Sequence, residues 1–597
     1  MKLFLCEKPS QGRDIAKILG ATQRGDGCLS GKEIVVTWGF GHLMEMVSPE
    51  DYDEKYKTWT LTDLPIIPAQ WKMKVKPETR KQFTVIQKLL KKAASVVIAT
   101  DADREGEMIA REILEACQFR GPLYRLWLSA LDDASIRKAL ASLKAGETTE
   151  LLYQAGLGRA RADWLCGMTL TRLYTLKGRQ PGKKGQVFSV GRVQTPTLNI
   201  IVQRDQDIAH FIPRNYWTLK VKLFHQQQAF LAHWQTPDTF CDEEKRCVNE
   251  AALQQAARDI RQTGQAHVIH AETKRTTESA PLLFDLGTLQ QVCSRKWGMG
   301  AQQVLDIVQA LYETHKATTY PRTDSGYLPV SMQAEVPQVL NALTTALPSL
   351  KPLLAHCHPQ QPSRIWNDQK ITAHHAIIPT LHTTDTGKMT EDERRVYTLI
   401  GYYYMAQFLP SYEADKTVLQ LRCGEHDLQA RGSRTVTHGW KILFSDEPDT
   451  QEDKQSLPLL TEQVICNVED TLIQAQKTTP PEHYTEGTLI AAMKNAARFV
   501  SDPRLKQRLK DSAGLGTEAT RAGIIETLLK RDYIRKEKRH LHATEKAIRL
   551  MDMLPDIVKD PGMTALWEQA LDDIATGKLP LAVFLQKQSV WITKMTE

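Results

Sequence analysis

Residues 95–100 read Ser-Val-Val-Ile-Ala-Thr, and Asp101-Ala102-Asp103-Arg104-Glu105-Gly106 follows with no spacer. A short, unbroken apolar run rich in β-branched residues suits a strand covered on both faces, the usual situation in a parallel sheet. Its surroundings keep the same rhythm. Lys2–Cys6 predicts a strand, and Pro9 onward a helix ending near Gly20, with Ser10 as N-cap and Ile15, Ile18 and Leu19 on its apolar face. Further strands are expected over 33–38 and 124–129, and helices over 77–94, 105–117 and 133–143. Such alternation implies a mostly parallel sheet with helices on its faces across about the first 150 residues.

At 597 residues the chain is too long for one core. Helical periodicity takes over near residue 150 and is broken by a Gly- and Lys-rich loop at 178–185. Residues 216–273 look strand-like, 282–408 helical, and 409–476 strand-like again around an acidic loop at 446–456; the remainder is helical. Segments of like character on both sides of a central helical block suggest domains built from discontinuous pieces. The fold class is therefore α/β plus mainly-α, with a β-rich part. No apolar run approaches the ~18 residues of a membrane span, and the first residues lack a secretory apolar core, so a cytoplasmic protein is expected. The ten cysteines include no C-x-x-C pair, which argues against a structural zinc ribbon. Cys241 with Cys247, and His356-Cys357-His358, are weaker chelator candidates.

Acids directly after a parallel strand stand where open α/β sheets place their sites. Asp101, Asp103 and Glu105 repel one another unless a cation joins them, and hard carboxylates around an open loop suit Mg²⁺. The plainer alternative is an exposed acidic turn capping the next helix. Gly106 would let that helix start close to the acids. Glu7-Lys8 follows the first strand in the same way and could add a carboxylate and a phosphate-directed charge to the same crevice. Between Arg159 and Arg192, eight basic side chains (Arg159, Arg161 and Arg192 among them) stand against Asp163 alone, with Trp164, Tyr174 and Phe188 interleaved. That pattern suits a nucleic-acid backbone and stacked bases, or else a solvated basic surface. There is no nucleotide-binding G-x-x-x-x-G-K-[ST] loop, no H-E-x-x-H and no G-x-S-x-G elbow. Acids plus a basic path point to phosphoryl transfer on nucleic acid, without saying which kind.

The segment from Glu313 to Ser325, containing Thr319-Tyr320-Pro321-Arg322-Thr323-Asp324, resembles the active-site tyrosine motif of type IA DNA topoisomerases. Asp101-x-Asp103-x-Glu105-Gly106 is similar to that family's metal-binding Toprim motif, and Glu7-Lys8-Pro9-Ser10 to its opening motif. Ser189-Val190-Gly191-Arg192-Val193-Gln194-Thr195-Pro196, the stretch Ala373-His374-His375-Ala376-Ile377-Ile378-Pro379, and Gly514-Leu515-Gly516-Thr517-Glu518-Ala519-Thr520-Arg521 resemble three more. Six motifs in family order span nearly the whole chain, with the bacterial topoisomerase III branch the nearest likeness.

The resemblance implies a toroid: a Toprim domain (1–150), a helical DNA-binding domain (151–215 and 480–597), a β-rich arch (216–278 and 409–479) and a tyrosine-bearing helical domain (279–408). It implies Tyr320 as the nucleophile of an ATP-independent cut that leaves a 5′-phosphotyrosine. A free tyrosine has a pKa near ~10, so about one in a thousand is ionised at pH 7 and positive potential is needed nearby. Arg322 and Lys8 are expected to stabilise charge on the phosphate, Glu7 to protonate the leaving 3′ oxygen, and His374 to contact phosphate. Mg²⁺ is expected on Asp101, Asp103, Glu105 and Glu7, mattering most for religation. Arg192, Gln194, Ser189, Thr517, Arg159 and Arg161 are expected to line the DNA. The implied partners are single-stranded segments of negatively supercoiled or catenated DNA and a helicase or single-strand binding protein, with a monomeric enzyme in the bacterial cytoplasm. Two departures stand out. The chain stops at Glu597 without zinc ribbons or a basic tail, and residues 233–249, where a decatenation loop would lie, are short. A Toprim nuclease or primase would use the same acids without Tyr320 or Arg322, and a non-catalytic single-strand binding module would use neither.

Overall fold

A computed structural model describes residues 1–128, 133–179, 185–371, 374–445, 455–510 and 514–597. Ser129, Lys183 and Lys184, Ala373 and most of the acidic loop at 446–456 lie outside the described residues.

The amino-terminal sheet has seven strands in the order Gln23–Gly25, Cys28–Ser30, Ile34–Trp38, Lys2–Cys6, Ser95–Ala99, Leu123–Arg125 and Lys144–Ala145. Its four inner strands run parallel and the outer ones antiparallel. Side chains alternate between faces, so Leu3, Leu5, Val96 and Ile98 enter one apolar cluster while Phe4, Cys6, Val97 and Ala99 enter the other. Both faces are covered, which explains the unbroken apolar strands. Cys6 pairs with Trp38 on one side and Ala99 on the other, so three strands end level at one edge.

Local details differ from expectation. The first helix, Pro9–Leu19, is preceded by Lys8 in extended conformation, with Pro9 at its first turn; Ser10 is inside the helix and caps nothing. A proline's fixed φ pre-forms that position and needs no hydroxyl. The acid-bearing helix is Arg104–Ala116, one residue longer at its start than expected, because Asp103 accepts from the Gly106 N–H and takes the capping role itself. The strand expected at 124–129 is only Leu123–Arg125.

Six strands close an antiparallel barrel: Asn215–His225, Gln228–Trp234, His426–Thr437, Tyr412–Cys423, Gln265–Glu278 and Ile465–Lys477. The expected strand-like stretch 216–273 also contains a helix, Glu250–Thr263, capped by Asn249 and stopped at Gly264 with φ 70°. Its Leu253, Ala256, Ala257 and Ile260 join the barrel's own apolar cluster. One further apolar cluster runs through residues 155–202, 280–409 and 484–592, fusing the helical segments around the long helix Glu150–Lys177. No described helix is long and apolar enough to cross a membrane.

Candidate active site

The three level strand ends carry the site. Glu7 and Lys8 follow Lys2–Cys6, His42 follows Ile34–Trp38, and Asp101 follows Ser95–Ala99. Glu7 Oε2 accepts the Asp101 N–H at 3.2 Å. Gln11 bridges both loops: its amide donates to Asp101 Oδ1 at 2.9 Å and its oxygen accepts the Glu7 N–H at 2.9 Å. The turn at Asp101 is tight. A Cβ placed on Gly106 would lie 2.2 Å from the Asp101 carbonyl oxygen, so only glycine lets this helix start so close. Beneath it, the fully buried Arg125 donates to the carbonyls of Thr100 (2.8 Å) and Asp101, and pairs with Glu107 at 2.6 Å.

Tyr320 arrives from the other side. After the helix Ala301–Glu313 the chain turns at Lys316, whose φ is 54°. Thr319 then fastens it: its N–H donates to the Ile378 carbonyl (3.0 Å), and its hydroxyl accepts the Ile378 N–H (3.0 Å) and donates to the Ala376 carbonyl (3.0 Å). Two motifs far apart in sequence thus become one unit. In it the His374 ring lies 4.5 Å from the Tyr320 ring, and Tyr312 meets Tyr320 edge-on at 5.7 Å. Lys8 Nζ stands 3.5 Å from the Tyr320 ring centre. The same ammonium is 3.3 Å from Asp101 Oδ2, and His374 Nε2 reaches that oxygen at 3.5 Å. Arg322 is exposed, outside this cluster, with no ion pair among the described residues.

Burial and neighbouring charge compete at each group in the crevice. Burial works against the Asp101 carboxylate, but Lys8 and His374 outweigh it and hold the group well below the usual carboxylate range. For Lys8, burial would lower the pKa; Asp101, Tyr320 and Glu7 more than reverse this. Glu7 is pushed up to about 7, by burial first and then by the Asp101 charge. Burial raises the Tyr320 phenol to about 12 although Lys8 pulls it down, so the closed site keeps its proton in place. Asp103 is raised, chiefly by burial, whereas Glu105 is lowered, first by its hydrogen bond to His42.

A cation has donors here but no closed cage. Among the described residues, no three of Glu7, Asp101, Asp103 and Glu105 bring ligand atoms within 4.8 Å of one another. Asp103 Oδ1 is engaged by the Gly106 N–H at 2.7 Å and Glu105 by His42 at 2.8 Å, while each keeps a second oxygen. An all-oxygen set that supplies one or two carboxylates and leaves the rest to water and phosphate fits Mg²⁺.

The expected DNA-lining residues divide. Arg159 and Arg161 are partly exposed, the first 3.9 Å from Asp163 and the second over the Trp71 ring. Gln194 donates to the Ser189 hydroxyl at 3.0 Å and accepts from Arg531 at 3.2 Å. Ser189 is buried against Tyr533. Thr517 precedes the helix Glu518–Lys530, with its hydroxyl 3.2 Å from that of Thr520. Arg192 departs from expectation: its side chain is 2% exposed and is held by Asp163 at 3.0 Å and Glu568 at 3.2 Å, so it presents no free charge to a strand. Glu568 also takes Arg104 at 3.1 Å, and Arg104 pairs with Asp572 at 3.1 Å, which ties the acid motif to the helix Gly562–Ala575.

Sequence reasoning missed Gln11, His42, Arg104, Arg125 and Tyr312. Two had a readable signal: Arg104 stands inside the acid motif itself, and His42 lies in the loop after an expected parallel strand. His42 spans Glu105 (2.8 Å) and Glu112 (2.9 Å), and these bonds lift its pKa to about 10 against the effect of burial.

A family model described as DNA topoisomerase matches residues 147–586, and one for the Toprim domain matches residues 2–131. The chain is 40% identical to DNA topoisomerase 3 of Haemophilus influenzae, over 96% of this chain and 91% of that protein. It is likewise 40% identical to DNA topoisomerase 3 of Salmonella typhimurium (98% and 91%) and 35% identical to that of Bacillus subtilis (99% and 80%). The structure of full-length topoisomerase I from Thermotoga maritima superposes with a TM-score of 0.71 at 22% identity, covering 100% of this chain and 90% of that one.

Proposed function

We propose that this chain, which belongs to the type IA DNA topoisomerase family and whose relatives are DNA topoisomerase 3 enzymes, uses Tyr320 to open and reseal one DNA strand. The observation that carries the assignment is the meeting of Tyr320, Lys8, His374 and Asp101 across the crevice. The Tyr320 oxygen attacks phosphorus, the bond to the 3′ oxygen breaks, and the phenol proton leaves as the 3′ hydroxyl gains one. Glu7, beside Asp101, is the proposed donor to that hydroxyl. Lys8 and His374 are assigned to the phosphate as charge builds on it, and Arg322, exposed outside the cluster, is assigned to fork onto the same phosphate once DNA is bound. Resealing is the reverse exchange. One phosphodiester replaces another at nearly equal energy, so no ATP is consumed.

A Toprim domain is a metal-binding domain. We assign Mg²⁺ to Asp101, Asp103 and Glu105 with Glu7 nearby, where it would neutralise phosphate charge and fix the 3′ end for religation. Arg159, Arg161, Gln194, Ser189 and Thr517 are assigned to the path of the single strand, with Arg192 bracing it from below through Asp163 and Glu568. The favoured substrate is a single-stranded segment of negatively supercoiled or catenated DNA, met by a monomer in the bacterial cytoplasm, where a helicase or single-strand binding protein would expose it. Unlinking of catenated circles tests the decatenation part.

The deciding experiment incubates the protein with 5′- and 3′-labelled single-stranded oligonucleotides, quenches with SDS, and compares Tyr320→Phe. A covalent adduct on the downstream 5′ phosphate, absent from Tyr320→Phe, is the expected result. Cleavage that survives Tyr320→Phe would replace this reading with a Toprim nuclease.

A further inference from the structure

Outside the crevice, one group of three metal-type donors converges among the described residues: Asp205, His483 and His542, whose ligand atoms all lie within 4.8 Å of one another. The three come from three elements. Asp205 is near the end of the helix Gln194–Ala209, His483 lies in the link ahead of the helix Glu486–Lys494, and His542 is on the hairpin strand His540–Ala543. We propose that Asp205, His483 and His542 form a second metal site, for a borderline divalent ion such as Zn²⁺, that clamps this helix to the link and the hairpin.

Donor chemistry separates this site from the crevice. Two imidazoles with one carboxylate select Zn²⁺ and its neighbours, whereas Mg²⁺ takes oxygen ligands. The geometry is close to assembled. Asp205 Oδ1 is 2.8 Å from His483 Nδ1, and the two imidazole rings lie 4.1 Å apart at 50°. His542 Nε2 has Glu537 as its nearest acid, at 3.8 Å, too long for a hydrogen bond. Surrounding bonds fix the ligands. The second oxygen of Asp205 accepts the Ala543 N–H at 2.7 Å, orienting the carboxylate from the hairpin. The neighbouring Arg204 donates to the Glu482 carbonyl (2.7 Å) and the Tyr484 hydroxyl (3.1 Å), holding the chain on both sides of His483. Such outer contacts are what orient metal ligands. The three side chains are 19–30% exposed, which leaves an approach for the ion and a position for water.

The test uses the full chain carrying Asp101→Asn and Asp103→Asn, so that the crevice does not compete for metal. Chelated protein is dialysed against micromolar Zn²⁺ and the retained metal measured, then repeated with Co²⁺ to read its visible ligand-field spectrum. One retained Zn²⁺ per chain, intense Co²⁺ bands of a nitrogen-ligated site of low coordination number, and a melting temperature raised by about 2 °C or more are expected. His483→Gln or His542→Gln should weaken binding at least ~10-fold. No retained metal, a weak all-oxygen Co²⁺ spectrum, or retention unchanged in both histidine variants would overturn the proposal. If a variant fails to fold, the Co²⁺ spectrum of the histidine-intact chain decides alone.

Discussion

Lys8 holds its ammonium 3.5 Å from the centre of the Tyr320 ring and 3.3 Å from the Asp101 carboxylate. One cation therefore stands between both halves of the crevice, and in the proposed reaction it would serve the phenol that gives up its proton and the acids beside the leaving group. Burial raises the phenol to about 12 and the Lys8 charge works against that rise, the direction the proposed attack requires. Lys8→Ala should slow single-turnover adduct formation by about 10²-fold or more, with partial recovery in Lys8→Arg. An unchanged rate in a folded Lys8→Ala protein would remove Lys8 from the chemistry.

In the proposed mechanism the acids act in resealing. Asp103 caps the helix Arg104–Ala116 and, in the proposed assignment, would offer its second oxygen to the cation; Asp103→Asn keeps the capping oxygen while removing the charge. Chelation by EDTA and Asp103→Asn should give the same result: SDS-trapped adduct still forms, while salt-induced resealing falls by about tenfold or more. Equal loss of cutting and resealing would show that the cation acts before the cut.

Gly106→Ala tests the tight turn. The added Cβ meets the Asp101 carbonyl oxygen at 2.2 Å, and that oxygen is already held by the buried Arg125, so the loop has to move. We expect metal-dependent resealing to fail and thermal stability to drop by about 1–3 kcal/mol. Wild-type resealing in Gly106→Ala would mean that the loop tolerates the displacement.

Glu568 joins the buried Arg192 to Arg104. Burial would raise its pKa, but Arg192 and Arg104 more than compensate, so the folded value lies below the usual carboxylate range. A depressed pKa contributes stability above the unfolded value of about 4.3, and that contribution is lost as pH falls through the folded value. Melting temperature should therefore drop on the acid side for the native protein. Glu568→Gln should be less stable at pH 7 by about 1–3 kcal/mol and show a flatter acid limb. Parallel pH profiles for the two proteins would contradict this account.

The amino-acid order alone determined a good deal. Apolar strands ending in acids at Asp101 and Glu7 forecast a parallel sheet with a polar edge, because a strand buried on both faces has no polar face to alternate with. The six motifs likewise pointed to the family that the relatives bear out. Helix starts were less legible: Pro9 displaced Ser10 as the initiating residue, and the Ala-rich helix Glu250–Thr263 hid inside a strand-like stretch. Only the tertiary structure decided which distant groups face one another. Thr319 bonding to Ile378 sets His374 beside Tyr320, and Asp163 with Glu568 holds the Arg192 side chain in a buried ion-pair network. Asp205, His483 and His542 show no spacing pattern at all. Charge pairing and donor convergence depend on distances through space, which local periodicity does not encode.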